Sequence, residues 1–197
     1  MLKNTDGSGS EEIVFESESN CSPSDWSRDG RFVLFQRISP TSKTKEDLWV
    51  LPLVGDRKPY PFLATPYEES DASFSPDGKW VLYFSDESGK NEAYVTPFPG
   101  GGGKWQVSTG GGDGGGWRRG GKEIVYADNT GELYSVEVNA VASSFQVGRP
   151  VHLFKSPPID AADSTEDGQR FLLAPSAAAA ENAPIALILD WPAALAK

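Results

Sequence analysis

The stretch that decides the fold is SFSPDGKWVLY, residues 73–83, and versions of it recur along the chain. In three of the four copies an aromatic residue ends a short strand, and a tight turn and a second, apolar strand follow. Because Asp accepts hydrogen bonds from nearby backbone N–H groups and Gly adopts the positive φ that a hairpin requires, the Asp-Gly pair predicts a β-hairpin. The other copies are DWSRDGRFVLF at 25–35, WRRGGKEIVY at 117–126 and STEDGQRFLL at 164–173.

The spacing of the copies predicts a β-propeller. The marker residues Gly30, Gly78, Gly121 and Gly168 lie 48, 43 and 47 residues apart, and periods of about 40–50 residues are typical of propeller blades with four strands each. We therefore expect an all-β fold of about four four-stranded blades. The predicted blades are 22–64, 70–108, 113–155 and 160–192, within a propeller domain of 11–197 that follows an N-terminal tail of 1–10.

Composition supports this fold and excludes several classes of function. The 21 glycines and 15 prolines among 197 residues break helices and favour turns. The net charge of −10 argues against nucleic acid as a partner, because phosphate backbones are bound by clustered Lys and Arg. No apolar run is long enough to cross a bilayer, so we expect no membrane insertion by this chain.

Counting strands raises the question of how the propeller closes. Residues 11–17 are predicted to form a strand whose own blade would lie upstream, and the last unit is predicted to contain only three strands. We expect 11–17 to complete the last blade, within one chain or between two. Four blades would close alone, whereas two chains would form an eight-bladed homodimer with two-fold symmetry.

The repeat resembles a known family. SPDGKWVLYFSDESG at 75–89 is similar to the Asp-Gly repeat of TolB-type propellers, which are distantly similar to WD-repeat propellers. The segments YVTPFP at 94–99, KWQVS at 104–108 and ILDW at 188–191 resemble the C-terminal propeller of bacterial transmembrane serine/threonine kinases. This resemblance implies an extracytoplasmic binding or sensing part of a receptor. The kinase motifs themselves are not in the sequence, and a cytoplasmic location is expected instead if Met1 is the natural start.

Three acidic residues stand outside the turn motif. Asp71, Asp113 and Asp160 precede the innermost strands, and we expect them near one mouth of the central channel. A mouth rich in oxygen ligands is able to hold Ca²⁺, but no spacing matches a calcium loop. The alternative is that they are solvated loop acids, and we predict no dedicated metal site or cofactor.

The third copy departs from the motif. It has Arg118 and Arg119 where its neighbours have Ser-Pro or Ser-Arg before Asp-Gly, and Trp117 lies beside them. Paired arginines in an acidic protein are suited to binding an anion or a carboxylate. The alternative interpretation is drift in a decaying repeat.

No catalytic constellation is convincing. Cys21 and His152 are the only residues of their types, and nothing in the sequence places them together or presents a nucleophile. We therefore expect a non-catalytic module that binds a small molecule, as a sensor, or a protein. The alternative is a metal-assisted hydrolase of esterase, lactonase or phosphotriesterase type, with its site at the channel mouth.

Overall fold

The computed structural model describes residues 2–3, 6, 8–38, 46–141, 144–157, 159–165, 167, 169–176 and 186–189. Within these ranges the chain forms sixteen β-strands and one short 3-10 helix, and it contains no α-helix. The strands assemble into four antiparallel sheets in chain order. The predicted all-β class with blade-like sheets is confirmed.

The first two sheets have four strands each, and each strand pairs with the next one along the chain. The first contains β1 Cys21–Trp26, β2 Phe32–Arg37, β3 Asp47–Pro52 and β4 Tyr60–Leu63, and the second contains β5 Glu69–Phe74, β6 Trp80–Ser85, β7 Glu92–Pro97 and β8 Trp105–Gln106.

The third and fourth sheets follow the same order with local differences. The third contains β9 Gly115–Arg118, the 3-10 helix Arg119–Gly121, β10 Glu123–Ala127, β11 Glu132–Val141, β12 Ser144–Val147 and β13 Val151–Lys155. The described part of the fourth contains β14 Ile159–Ser164, β15 Arg170–Pro175 and β16 Ala186–Leu189. Asp190 and Trp191, which end one of the family-like segments, lie outside the described residues.

The sheets stack through apolar faces, and β6 shows why. All six of its residues are buried, and alternate residues of a strand point to opposite faces of a sheet. Val81 and Tyr83 accordingly pack in a cluster shared with the first sheet, whereas Leu82 and Phe84 pack in a cluster shared with the third. Burial of such side chains contributes roughly 1.5–3 kcal/mol each, so a nearly continuous apolar strand fits a central blade.

The third sheet contains a strand that the repeat does not predict. Strand β11 continues past its expected end to Val141 and returns as β12. Phe145 of β12 packs against Trp80, with ring centroids 4.9 Å apart, and against Trp105 and Trp117. The extra hairpin therefore fills the space between the second and third sheets.

The N-terminal segment differs from the prediction. Within 11–17 the backbone is not extended into a strand, and Glu12 forms an isolated bridge with Leu2 rather than with the last sheet. Val14 and Phe15 instead pack on the face of the first sheet that holds Phe35. In the single chain, the predicted completion of the last blade by this segment is therefore wrong, and its two-chain version stays a prediction. No helix in the described part of the chain is long and apolar enough to cross a membrane.

Candidate functional site

The turn between the first two strands of the second sheet is closed by a polar network. Ser75 Oγ donates to Asp77 Oδ1 (2.6 Å), and the Lys79 backbone N–H donates to the same oxygen (3.1 Å). The Trp80 backbone N–H in turn donates to Ser75 Oγ (3.0 Å). Gly78 adopts a φ of +69°. Serine and aspartate together thus satisfy two backbone donors of a tight hairpin.

The same network recurs in the first and fourth sheets. Ser27 Oγ donates to Asp29 Oδ1 (2.7 Å), and Thr165 Oγ1 donates to Asp167 Oδ1 (2.5 Å). These hydroxyl bonds, followed by backbone N–H bonds, hold the pKa of both aspartates below the usual value for this residue. The repeated motif therefore has a structural role, as the sequence predicts for its Asp residues.

The turn of the third sheet lacks this network. Arg118 stands at the position of Ser75, and Gly120 stands at the position of Asp77. The backbone also differs, because Arg119, Gly120 and Gly121 have φ of +49°, +65° and +90°. A side chain in this left-handed region costs about 1–2 kcal/mol at Arg119. The third turn therefore differs from the other turns both in its backbone conformation and in its hydrogen bonds.

Arg118 is buried without a polar partner. The residue is 4% exposed, and its Nε, Nη1 and Nη2 donate a hydrogen bond to no acceptor in the described part of the chain. The guanidinium carbon lies 4.3 Å from the centre of the Phe171 ring in the fourth sheet. Burial lowers the pKa of Arg118, while the charges of Glu123, Asp167 and Asp163 raise it.

Two surface grooves are lined by Arg119, the residue that follows Arg118. One is shallow and lies between the third and fourth turns, lined by Arg119, Gly120, Thr165 and Asp167. The other has a volume of about 610 Å³ and follows β11 and β12, with Arg119 and Lys122 at one side. Arg119 lines both grooves, so the third turn presents two cations to solvent directly next to the buried one.

Trp117, the third residue predicted at this site, is used for packing. Its Nε1–H donates to the carbonyl oxygen of Ser73 in the second sheet (3.1 Å), and its ring packs edge-on against Phe145. The hydrogen bond joins β9 of the third sheet to β5 of the second, and these are the innermost strands of the two sheets. Trp117 therefore positions the strand that ends in Arg118.

The predicted acids lie at the other end of the innermost strands. Asp113 precedes β9, whereas Arg118 is its last residue, and four extended residues span roughly 13 Å. Asp71 lies in the irregular part of β5 with φ of +48°. Desolvation, and then the charge of Asp113, raise the pKa of Asp71. Asp113 thus acts electrostatically on Asp71 at the end of the strands opposite the arginines, and their place at a channel mouth stays a prediction.

The channel-mouth prediction is otherwise untested. Asp160 lies in β14, but its side chain is outside the described part of the structure. Among the side chains that are described, no group of three or more His, Cys, Asp or Glu is arranged to hold a metal ion. The calcium interpretation therefore stays a prediction.

Cys21 and His152 are not brought together. Cys21 lies in β1 of the first sheet, and its thiol donates weakly to the carbonyl oxygen of Ser19 (3.5 Å). His152 lies in β13 of the third sheet, half-exposed, with Nε2 2.7 Å from Glu132 Oε2. Cys21 and His152 therefore contact residues close to their own strands and not each other.

Sequence reasoning missed Lys122 and Phe171 as parts of the arginine site. Lys122 follows the third turn directly, so a charge count over the turn would have found it. Phe171 appears in the sequence only as one residue of an apolar strand, and its contact with Arg118 depends on how the third and fourth sheets stack.

Comparison with known proteins supports the fold. No protein-family model matches the sequence, and the comparison with curated proteins gives no match. Among solved structures, TolB from Acinetobacter baumannii matches 93% of this chain with a TM-score of 0.62 and 19% identity, over 43% of its own length. A putative TolB from Agrobacterium tumefaciens matches 89% of the chain with a TM-score of 0.62 and 20% identity, over 60% of its length.

A third similar structure is an enzyme. An oligogalacturonate lyase in complex with manganese matches 93% of the chain with a TM-score of 0.66 and 14% identity, over 55% of its length. This chain has a TolB-like β-propeller fold. At these identities the similarity concerns the fold alone, because propellers support both binding and catalysis. The chain spans about half the length of the structures it matches.

Proposed function

We propose that this chain is a non-catalytic binding module, a sensor or a protein-interaction domain, with its ligand site at the third turn beside Arg118 and Arg119. The observation that carries the proposal is the buried, unpartnered guanidinium of Arg118 at a position where the other turns have a hydroxyl. An anionic ligand or an acidic surface of a partner protein fits this site.

The energetics support a ligand. Desolvating a cation without a hydrogen-bond acceptor costs several kcal/mol. Stacking on the Phe171 ring and the attraction of Glu123, Asp167 and Asp163 offset part of this cost. The turn also gives up the serine–aspartate network of the neighbouring turns and places Arg119 in a left-handed conformation. An anion would supply the hydrogen bonds that the guanidinium does not make with any of the residues that the structure describes.

The family resemblance extends the proposal to the whole protein. If the chain belongs to a receptor kinase, this module would be its extracytoplasmic part. The end of the propeller that carries the third turn would then bind the ligand that the receptor senses. In a homodimer, each copy would contribute one such binding site.

Ligand screening tests the proposal. We expect anionic compounds in a mixed library of anionic, neutral and cationic molecules to raise the melting temperature and to shift the amide NMR signals of 117–122. None of them should be consumed. Ester or lactone turnover that a chelator abolishes would contradict the non-catalytic function. Ligands that shift only signals elsewhere in the propeller would contradict the location of the site at the third turn.

A further inference from the structure

The proposed binding site points to a more specific ligand. Resting on that function, we infer that the anchoring group of the ligand is a carboxylate, which the Arg118 guanidinium binds as a fork while Arg119 and Lys122 contribute at the rim. A small carboxylic acid and an acidic segment of a protein both carry this group.

The geometry of Arg118 favours a planar ligand. Its guanidinium lies over the Phe171 ring at 4.3 Å, which occupies one face of the plane. The N–H groups of a guanidinium lie in its plane and match two oxygens of a carboxylate. Within the described part of the chain none of the three nitrogens has a hydrogen-bond acceptor, so a bidentate carboxylate would satisfy donors that are otherwise unused.

Burial of the guanidinium favours a monoanion. Three cations, Arg118, Arg119 and Lys122, lie at or beside the turn. Carboxylates of Glu123, Asp163 and Asp167 also act electrostatically on Arg118, so the charges around the site largely offset one another. The cost of desolvating an ion rises with the square of its charge, whereas its attraction to a cation rises only in proportion to the charge. At a buried guanidinium, a carboxylate with a charge of −1 is therefore favoured over a phosphate with a charge near −2.

The shallow groove provides the route to the site. Arg119 and Gly120 follow Arg118 directly, and Thr165 and Asp167 form the facing side. The nitrogens of the Arg118 guanidinium are not exposed to solvent, so binding requires a displacement of the third turn, which runs from Arg118 to Lys122. Entry of a carboxylate between the third and fourth turns would bring its oxygens to the edge of the guanidinium.

Titration with matched probes tests the inference. The probes are glutarate, a hexapeptide with three glutamates and blocked ends, its glutamine counterpart, and inorganic phosphate, at fixed ionic strength. We expect glutarate or the glutamate peptide to bind, and the stronger of the two identifies the source of the carboxylate. The glutamine peptide and phosphate should bind at least about tenfold more weakly.

The variant Arg118→Met separates a ligand role from a structural one. Methionine keeps an apolar stem over Phe171 and removes the buried charge, so we expect an unchanged or higher melting temperature and a loss of carboxylate affinity of at least about tenfold. The exposed Arg149→Met serves as the matched control and should bind as the wild type does.

The outcomes distinguish the inference from the proposed function. Phosphate binding as tightly as carboxylate, with the same loss in Arg118→Met, would overturn the carboxylate inference and leave the binding site in place. Binding of no probe would also overturn the inference. A clear drop in melting temperature for Arg118→Met, with carboxylate affinity retained, would show a structural role for Arg118 and overturn both.

Discussion

The second and third turns of this propeller connect equivalent strands in different ways. In the second, Ser75 and Asp77 bond to each other and to two backbone N–H groups. In the third, Arg118 and Gly120 occupy those positions, the network is missing, and a cation is buried beside Phe171. Both turns join the first and second strands of a sheet, so the difference concerns the turn and not the blade.

This difference shows how a repeat protein is able to carry a site. Three turns contribute the same hydrogen bonds, and the fold needs them for stability. The remaining turn is free to differ because the flanking strands are held by packing, through Trp117 on one side and Phe171 on the other. A deviation in one copy of a repeat is therefore the place to look for function.

The largest expected effect is the loss of a network turn. Asp77→Ala removes the acceptor for Ser75 Oγ, which is buried, and for the Lys79 backbone N–H. We expect the free energy of unfolding to fall by about 1–3 kcal/mol, measured by urea denaturation. The exposed Asp56→Ala is the matched control and should change stability by less than about 0.5 kcal/mol. Equal effects of the two substitutions would mean that the network is not what stabilises the turn.

A smaller effect concerns pH. Hydrogen bonds from Ser27 and from the Arg31 backbone N–H hold the pKa of Asp29 below its usual value. The stability advantage of the wild type over Asp29→Asn should therefore be complete above the unfolded pKa of about 4 and decline as the pH falls through the lower folded pKa. Denaturation curves between about pH 2 and pH 7 measure this difference.

The exposed Val54→Ala supplies the control for the pH experiment. Neither residue is charged or titrates, so the small stability difference between this variant and the wild type should stay constant over the same range. A constant difference for Asp29→Asn would contradict the account of the turn networks.

Much of the fold was predictable because it depends on local chemistry. The Asp-Gly turns lie where the repeat places them, since hairpin geometry is set by residues adjacent in sequence. Strand β12 was not predicted, because it depends on the space that Phe145 fills between two sheets. A strand was predicted at 11–17 because this segment contains the apolar Ile13, Val14 and Phe15. Apolar residues also occur in irregular segments that cover a sheet, as Val14 and Phe15 do here.

The candidate site was predictable only where it depends on local sequence. Arg118 and Arg119 stand out when the copies are aligned, whereas burial of one and exposure of the other depend on the stacking of the fourth sheet on the third. Asp71 and Asp113 were expected near one channel mouth, and Asp113 acts electrostatically on Asp71. Their separation from the arginines follows from the direction of β9.

The central claim is that the third turn gives up stability for a binding site, and restoring the repeat tests it most directly. The double variant Arg118→Ser/Gly120→Asp gives the third turn the sequence of the first, WSRDG at 26–30. Measured by urea denaturation and glutarate titration on the same sample, the variant should be more stable than the wild type by about 1–3 kcal/mol and should lose carboxylate binding. A variant that is less stable than the wild type, or that binds carboxylate as well as the wild type does, would contradict the account.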